Sequence, residues 1–322
     1  MRLSYPLSMP DLQVAGVGLT TIDVLARLED MPTWQKGAFL GEIGFDGGGP
    51  VGTALVAASR LGVRTGYMGI CGNDEAADLK LLYLSRDGVD TSRVMRRQTP
   101  ENQLVLVFVQ QSSGDRVFGL IKDMDDTLKP EELDRDYIIA ADYLHLDGYH
   151  QKAALQAVHW MHAAGKKVML DAPRGSADMR HVISELVEVC DVFISGSGVC
   201  QELSGKSDFW DAGEAVLRMG PQVVVQTEGE AGSNTIAAGE RFHTPAFQVE
   251  AVDTTGAGDV FHGAYLTGLL RGWDLRQTAR FASAVAAIKC THLGGRRGAP
   301  REAEVRAFLK QRGAEMSGWL EQ

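Results

Sequence analysis

The 322-residue chain is 44% hydrophobic and 23% charged, an ordinary globular balance with enough apolar content for a large core. Its 32 basic residues against 42 acidic ones give a formal charge of -10, which argues against a broad nucleic-acid surface. No apolar run approaches the roughly 18 residues of a membrane span, and the opening MRLSYPLSMPDLQ lacks the basic, apolar, small-residue progression of a signal peptide. A cytoplasmic protein without membrane contact is expected.

In chain order, LQVAGVGL predicts a first strand, followed by a helix through TALVAASRLG, a strand at TGYMGICG and a helix through AADLKLLYLSRDG. Further strands are expected at YLHLDG, KKVMLDA, DVFISGS and QVVVQTEG. Such alternation predicts an α/β fold with a largely parallel sheet covered by helices. Several of these strands end in Gly, Asp, Ser or Thr, as expected where loops at carboxyl ends form a ligand crevice.

Two segments break the rhythm. Residues 24–45 and about 93–122 hold strand-like runs separated by turn residues, notably SSGD at 112–115, and are expected to form antiparallel strands of a small lid. No fixed-period repeat or linker divides the chain, so a single domain over 1–322 is expected. Near the end, Phe281, Ala284, Val285 and Ile288 recur at helical spacing before a glycine stop, and a last amphipathic helix follows. Cys71, Cys190, Cys200 and Cys290 are scattered and form no CxxC pair, which favours buried reduced thiols.

The chemistry concentrates in VDTTGAGDVFHGA, residues 252–264. Gly256 and Gly258 let the backbone turn sharply, and Ala257 adds almost no bulk. Consecutive N–H groups at the start of a helix can then converge on an anion. A transferring phosphoryl group spreads charge over its outer oxygens, which a fixed ring of donors stabilises. Asp259 would meet the attacking hydroxyl, kept ionised by the helix amino terminus.

This stretch resembles the carboxyl-terminal signature of the ribokinase (PfkB) family of carbohydrate kinases. FDGGGPVGTALVAASRLG at 45–62 with GICGND at 69–74 is similar to the family's amino-terminal signature. KVMLDAPR at 167–174 and VVVQTEGEAG at 223–232 are similar to its intervening elements, in family order. The resemblance implies a three-layer sandwich with a mainly parallel central sheet and a small β-strand lid. It implies an ATP-dependent kinase that phosphorylates a hydroxyl of a sugar or sugar derivative and uses Mg2+.

By position, Asp259 would be the base and the N–H groups of Gly256, Ala257 and Gly258 the anion hole. Asp23, on the loop after the first strand, would bind sugar hydroxyls, with Gly48, Gly49 and Thr53 beside it. Thr227, Gly229 and Gly232 would shape the ATP loop, and Arg174 would reach a phosphate. The family's monovalent-cation site would fall on Asp253 and Thr255 near Gly294, where an inward Lys289 would oppose a cation. Partners would be a small-molecule sugar and ATP, with a homodimer formed through the lid.

The family's NxxE element is missing, since Gly196 and Val199 occupy its positions; Glu202 is the nearest acid and Mg2+ would rest mainly on phosphates and water. GGGP and FASAVAAIKCTHLGGRRG resemble the sulfofructose kinase branch, yet Leu120 and the Gly148–Tyr149 region lack its Asn and Arg. Tyr149, His150, Gln103 and Lys122 are candidate sugar contacts. A nucleoside kinase would need an aromatic slot, for which Trp34, Phe39, Phe108 and Phe118 are available. A non-enzymatic sugar sensor on the same fold stays open, because fold does not fix function.

Overall fold

A computed structural model describes residues 11–112, 115–121, 126–172 and 183–313. Strands and helices are numbered in chain order. β1 (Val14–Val17), β4 (Thr65–Met68), β9 (Tyr143–Leu146), β10 (Lys167–Ala172), β11 (Val192–Gly196) and β12 (Val223–Thr227) run parallel. β13 (Ser233–Ala237) and β14 (Glu240–Thr244) extend the sheet antiparallel, giving the order β14-β13-β12-β11-β10-β9-β1-β4.

Alternation along these strands decides the layers, because successive side chains point to opposite faces. Val14, Met169 and Val225 join one apolar cluster, while their neighbours Ala15, Leu170 and Val224 join another. The first face packs α1 (Pro50–Arg60), α7 (Ala257–Leu270) and α8 (Leu275–Cys290) through Val51, Leu55, Tyr265 and Val285. The second packs α4 (Gln151–Ala163) and α6 (Phe209–Leu217) through Ala154, Val158 and Val216. The result is the expected mainly parallel sheet between two helical layers.

α7 is buried from Val260 to Gly268 without a polar stripe, as a helix enclosed on all sides must be. Its partners come close where side chains are missing: a Cβ at Gly263 would run into the Ala54 carbonyl oxygen of α1. α8 starts at a capping box, in which Asp274 accepts from Gln277 N at 2.7 Å and Gln277 returns the bond. α1 follows Gly49, whose φ of 84° suits only glycine, with Pro50 in its first turn.

A second sheet has the order β3-β2-β7-β8, built from β3 (Leu40–Gly48), β2 (Thr21–Leu28), β7 (Leu104–Gln110) and β8 (Arg116–Leu120). The expectation of purely antiparallel strands needs correction, since β2 and β7 pair in parallel. A parallel pair needs a crossover, and here it runs through α1, β4 and α2 (Glu75–Arg86). Residues 31–39 carry no strand, and β6 (Met95–Arg96) pairs instead with β5 (Ile70–Cys71). No disulfide joins the described cysteines; Cys290 is half-buried and the other three are buried.

Replacing Gly263 by Ala should lower unfolding free energy in urea by about 1–3 kcal/mol, the usual cost of overpacking a tight contact. Unchanged stability would show that the α1–α7 crossing is looser than the Ala54 contact requires.

Candidate active site

The amino terminus of α7 sits at the carboxyl end of the central sheet. Gly256 caps it with φ 72°, and a Cβ there would lie 2.8 Å from the Gly295 carbonyl oxygen. The Ala257 N–H donates to Thr254 O at 3.2 Å, while those of Gly256 and Gly258 meet no acceptor among the described residues. Gly258 differs from the sequence expectation: it is helical, and its value is bareness, because a Cβ there would meet nothing within 4 Å. Its open side faces a cleft.

That cleft, of about 360 Å³, is lined by Asp171, Gly196, Ser197, Thr227, Gly258, Asp259 and His262. Asp259 and His262 stand one helical turn apart on α7, and Asp171 meets them from the end of β10. His262 Nε2 lies 3.6 Å from Asp171 Oδ1. Burial pushes the Asp259 carboxyl up to about 6, with Arg296 pulling it down and Asp147 pushing it further up. The sequence expectation of a helix terminus keeping it strongly ionised missed this burial. Asp171 is raised well above the usual carboxylate range by burial and by Asp259 beside it.

The sugar-side residues converge from the second sheet. Asp23 lies in β2 rather than on a loop, opposite Asp46 of β3 and Val105 of β7. Thr21 Oγ1 donates to Asp23 Oδ1 at 2.6 Å. Burial raises Asp23 to about 6, opposed by Thr21 and Arg296. Gly48 abuts Asp23 so closely that a Cβ would collide with the carboxylate, and Gly49 would strike Leu19 O at 2.6 Å.

The arginines of GGRRG at 294–298 are expected from the sequence to flank the nucleotide, facing phosphate or solvent, but Arg296 turns instead to the sugar side. It is 2% exposed, and its guanidinium donates to Thr20 Oγ1, Gly48 O and, at 3.4 Å, Thr53 Oγ1. Thr53 is therefore sealed beneath the site and engaged by Arg296 rather than open to a ligand. Cβ atoms at Gly47 or Gly52 would overlap the guanidinium. The glycines of FDGGGPVG leave its channel, a signal legible only once the loop 294–298 is placed. Arg297, by contrast, is exposed and donates to Phe45 O at 3.0 Å.

A second cleft of about 290 Å³ shares Thr227 and Gly258 with the first and also holds Gly229 and Gly232. Its walls are apolar at Phe247, Val249, Phe261 and Ala287, with Ser283 and Cys290 between them. An aromatic base suits those walls, and phosphates suit the bare glycines where the clefts join. The carboxylate oxygens of Asp171 are hard donors that fit Mg2+ arriving with phosphates. Glu202 is exposed on the short helix α5 (Val199–Ser204) and lines neither cleft.

The expected monovalent-cation ligands are already engaged. Asp253 Oδ1 accepts from Thr255 N at 2.8 Å, Thr255 Oγ1 at 2.7 Å and Arg116 Nη1, while Oδ2 accepts from Gly294 N at 2.9 Å. Arg116 also reaches Thr255 Oγ1, and Lys289 Nζ donates to the Asp253 carbonyl at 2.7 Å. Burial alone would raise Asp253, yet these Thr255 donors, Lys289 and the Gly294 N–H hold it below its ordinary value. Two fixed cations on these oxygens do not fit a diffusible ion there.

Arg174 and Lys122 lie outside the described residues. Gln103 and His150 are buried in a polar group with Lys80: Lys80 Nζ donates to Gln103 Oε1 at 2.9 Å, and Leu128 N to His150 Nδ1 at 3.1 Å. Gln103 Nε2 and His150 Nε2 have no partner among the described residues. Tyr149 is half-buried, its ring edge-on to His150 at 4.8 Å. Trp34 and Phe39 are fully exposed and form no slot for a base.

Comparison with known proteins identifies the family and the fold. Residues 11–302 match the model of the pfkB family carbohydrate kinases. The chain is 28% identical to a 5-dehydro-2-deoxygluconokinase of Shouchella clausii, covering 92% of this chain and 95% of that one. It is 26% identical to a 2-dehydro-3-deoxygluconokinase of Bacillus subtilis, covering 88% and 89%. Its fold is similar to that of a protein assigned as Ribokinase II of Escherichia coli, solved with ATP and Mg2+, at TM-score 0.82 and 24% identity over 93% and 99% of the chains. A Thermotoga maritima ribokinase superposes at TM-score 0.78, with 25% identity over 93% and 99%. With two clefts joined at a glycine-bared helix terminus and a family match over most of its length, the chain belongs to the pfkB family of carbohydrate kinases.

Proposed function

We propose that the protein transfers the γ-phosphoryl group of ATP to a hydroxyl of a sugar or sugar acid. The observation that carries this reading is the placement of Asp259 and bare Gly258 at the junction of the two clefts. The base would lie against Phe247 and Val249, with the phosphates running past Thr227, Gly229 and Gly232 to the start of α7. Mg2+ arriving with the nucleotide would supply charge neutralisation, held mainly by phosphates and water with Asp171 as the carboxylate beside it. The sugar would sit against Asp23 and Gly48, beneath the second sheet acting as a lid over a site from which water is excluded.

In this mechanism Asp259 orients the attacking hydroxyl and takes its proton as the bond to phosphorus forms. The N–H groups of Gly256 and Gly258 face the charge on the transferring group, with Ala257 contributing once its weak bond to Thr254 O yields. Asp23 accepts from sugar hydroxyls, while Thr53 acts through Arg296 by fixing the loop that carries Gly48. The two gluconokinase relatives make keto sugar acids the first substrates to examine. The unpartnered donors Gln103 Nε2 and His150 Nε2 suit such polar substrates.

The lid also supports the homodimer. Ile43, Phe45, Leu106 and Val117 are exposed on the same face of the second sheet, opposite the face of Asp23 and Leu25. A second copy of that sheet would cover them.

Four measurements test these readings. ATP-dependent phosphorylation across 5-dehydro-2-deoxygluconate, 2-dehydro-3-deoxygluconate, ribose, deoxyribose, fructose, sulfofructose and nucleosides should single out a sugar or sugar acid; turnover of a nucleoside alone would replace that class. With the substrate found, Asp259→Asn should cut kcat by about 10²–10⁴-fold while leaving nucleotide affinity near normal. The base works deprotonated and its carboxyl is raised to about 6, so kcat/KM should fall as pH drops through about 6, the limb belonging to the Asp259–Asp171 pair. A flat profile to pH 5 would remove Asp259 from the base role. Light scattering should give a dimer that Phe45→Asp with Val117→Asp splits; a monomeric wild-type protein would end the dimer proposal.

A further inference from the structure

We infer that Lys289 and Arg116 replace a diffusible monovalent cation beside the anion hole with charges built into the chain, so that the protein works without potassium. The inference rests on the kinase reading for its functional meaning, though not for its structural test.

The turn 252–255 delivers the backbone to Gly256 and so sets the direction of the N–H groups at the start of α7. Free carbonyl and carboxylate oxygens at such a turn repel one another and the incoming phosphates unless a positive charge gathers them. Here the charge comes from the chain. Lys289 is fully buried in the last turn of α8, where a cation also complements the helix carboxyl terminus. The Cys290 carbonyl of the same turn accepts from Val252 N at 2.8 Å and Asp253 N at 3.1 Å. The end of α8 therefore holds residue 253 through both its N–H and its carbonyl.

The carboxylate is held separately. Arg116 projects from β8 on the face of the second sheet that Val109 shares, and its guanidinium spans Asp253, Thr254 and Thr255. Each oxygen of Asp253 thus already has a donor: Lys289 on the carbonyl, Arg116 and Thr255 on one carboxylate oxygen, Gly294 N on the other. A potassium ion needs several such oxygens at once. It would have to displace an ammonium tethered by a buried side chain, whose local concentration no dissolved ion matches.

Arg116 adds a second consequence. It is the link between the second sheet and the turn that aims the anion hole, so the position of β8 is mechanically tied to that turn. Losing it should affect catalysis through positioning and not through contact with substrate.

Thermal unfolding of the full chain in potassium, sodium and tetramethylammonium chloride at equal ionic strength is the first test and needs no substrate. Wild-type Tm should be the same in all three, and crystals soaked in rubidium should show no anomalous peak at Asp253. A potassium-specific rise in wild-type Tm, or a rubidium peak there, overturns the inference. Lys289→Ala empties the place of the ammonium; its Tm should fall and then recover with the logarithm of potassium concentration, as a bound ion requires. If that variant does not fold, the wild-type arms decide alone. Once a sugar substrate is known, wild-type turnover should be unchanged by potassium, whereas Lys289→Ala should lose about 10²-fold and regain part of it in potassium. Arg116→Lys should retain more turnover than Arg116→Ala, with KM for ATP nearly constant in both. Failure to phosphorylate any sugar would remove the kinase reading while leaving the unfolding and rubidium results to stand.

Discussion

The site depends on one buried guanidinium. Arg296 comes from the loop after α8, yet it ties together Thr20 before β2, Gly48 at the end of β3 and Thr53 of α1. Its own N–H donates to Asp46 Oδ2 at 3.1 Å. Segments some 250 positions apart in sequence are therefore held at one point. A buried cation with oxygen partners on three sides costs desolvation that those partners must offset, so removing any of them would leave charge uncompensated. The reason for small residues at 47, 48 and 52 follows: the first and last leave room for the guanidinium, and the middle one leaves room for Asp23.

The same charge tempers the ionisation of the buried acids near it. Asp23, Asp147 and Asp259 are all raised to about 6 by burial, and Arg296 opposes the rise at Asp23 and Asp259. Asp147 is stabilised differently, accepting from Leu19 N at 2.7 Å and Tyr149 N at 2.9 Å. It is thereby a brace for the loop entering β2. Neutral histidines surround Asp171, since burial pulls His145 down to about 4 and holds His262 well below the usual imidazole range. Asp171 consequently gains no ion pair at neutral pH, and its carboxyl rises with burial and with Asp259.

Much of this was legible from sequence, and the limit was contact across long separations. Alternating strands and helices predict the central sheet, and the glycines around Asp259 predict a bare helix terminus. Proximity in sequence misleads at Asp23: GVGLTTID looks like one strand and its loop, whereas Thr21 already begins β2 in another sheet. Periodicity also cannot report the parallel β2–β7 pairing, because the two strands carry the same alternation in either direction. The GGRRG stretch marks Arg296 only as a residue near the nucleotide, not as the tie beneath the sugar side, and Arg116 gave no local signal. An arginine in a glycine-rich loop or on a strand next to a turn has the pattern of a solvated residue, and only its partners show otherwise.

The charges explain how an acidic protein receives a polyanion. With -10 formal charge overall and the carboxylates of Asp171 and Asp259 lining the cleft, the potential at the site would oppose a nucleotide if it followed the net charge. It does not need to, because Arg296 and Lys289 act on Asp259 from behind the cleft with neutral oxygens among their partners, and in a poorly screened interior such charges act over several ångströms. Their partners include the carbonyls of Gly48 and Asp253 and the hydroxyls of Thr20 and Thr53, which satisfy hydrogen bonds without cancelling positive charge, whereas Arg116 is balanced by the Asp253 carboxylate. The acids at the front can then stay available for hydroxyl groups and a metal, while the attraction for phosphate comes from the second layer and from the backbone N–H groups that layer holds in place.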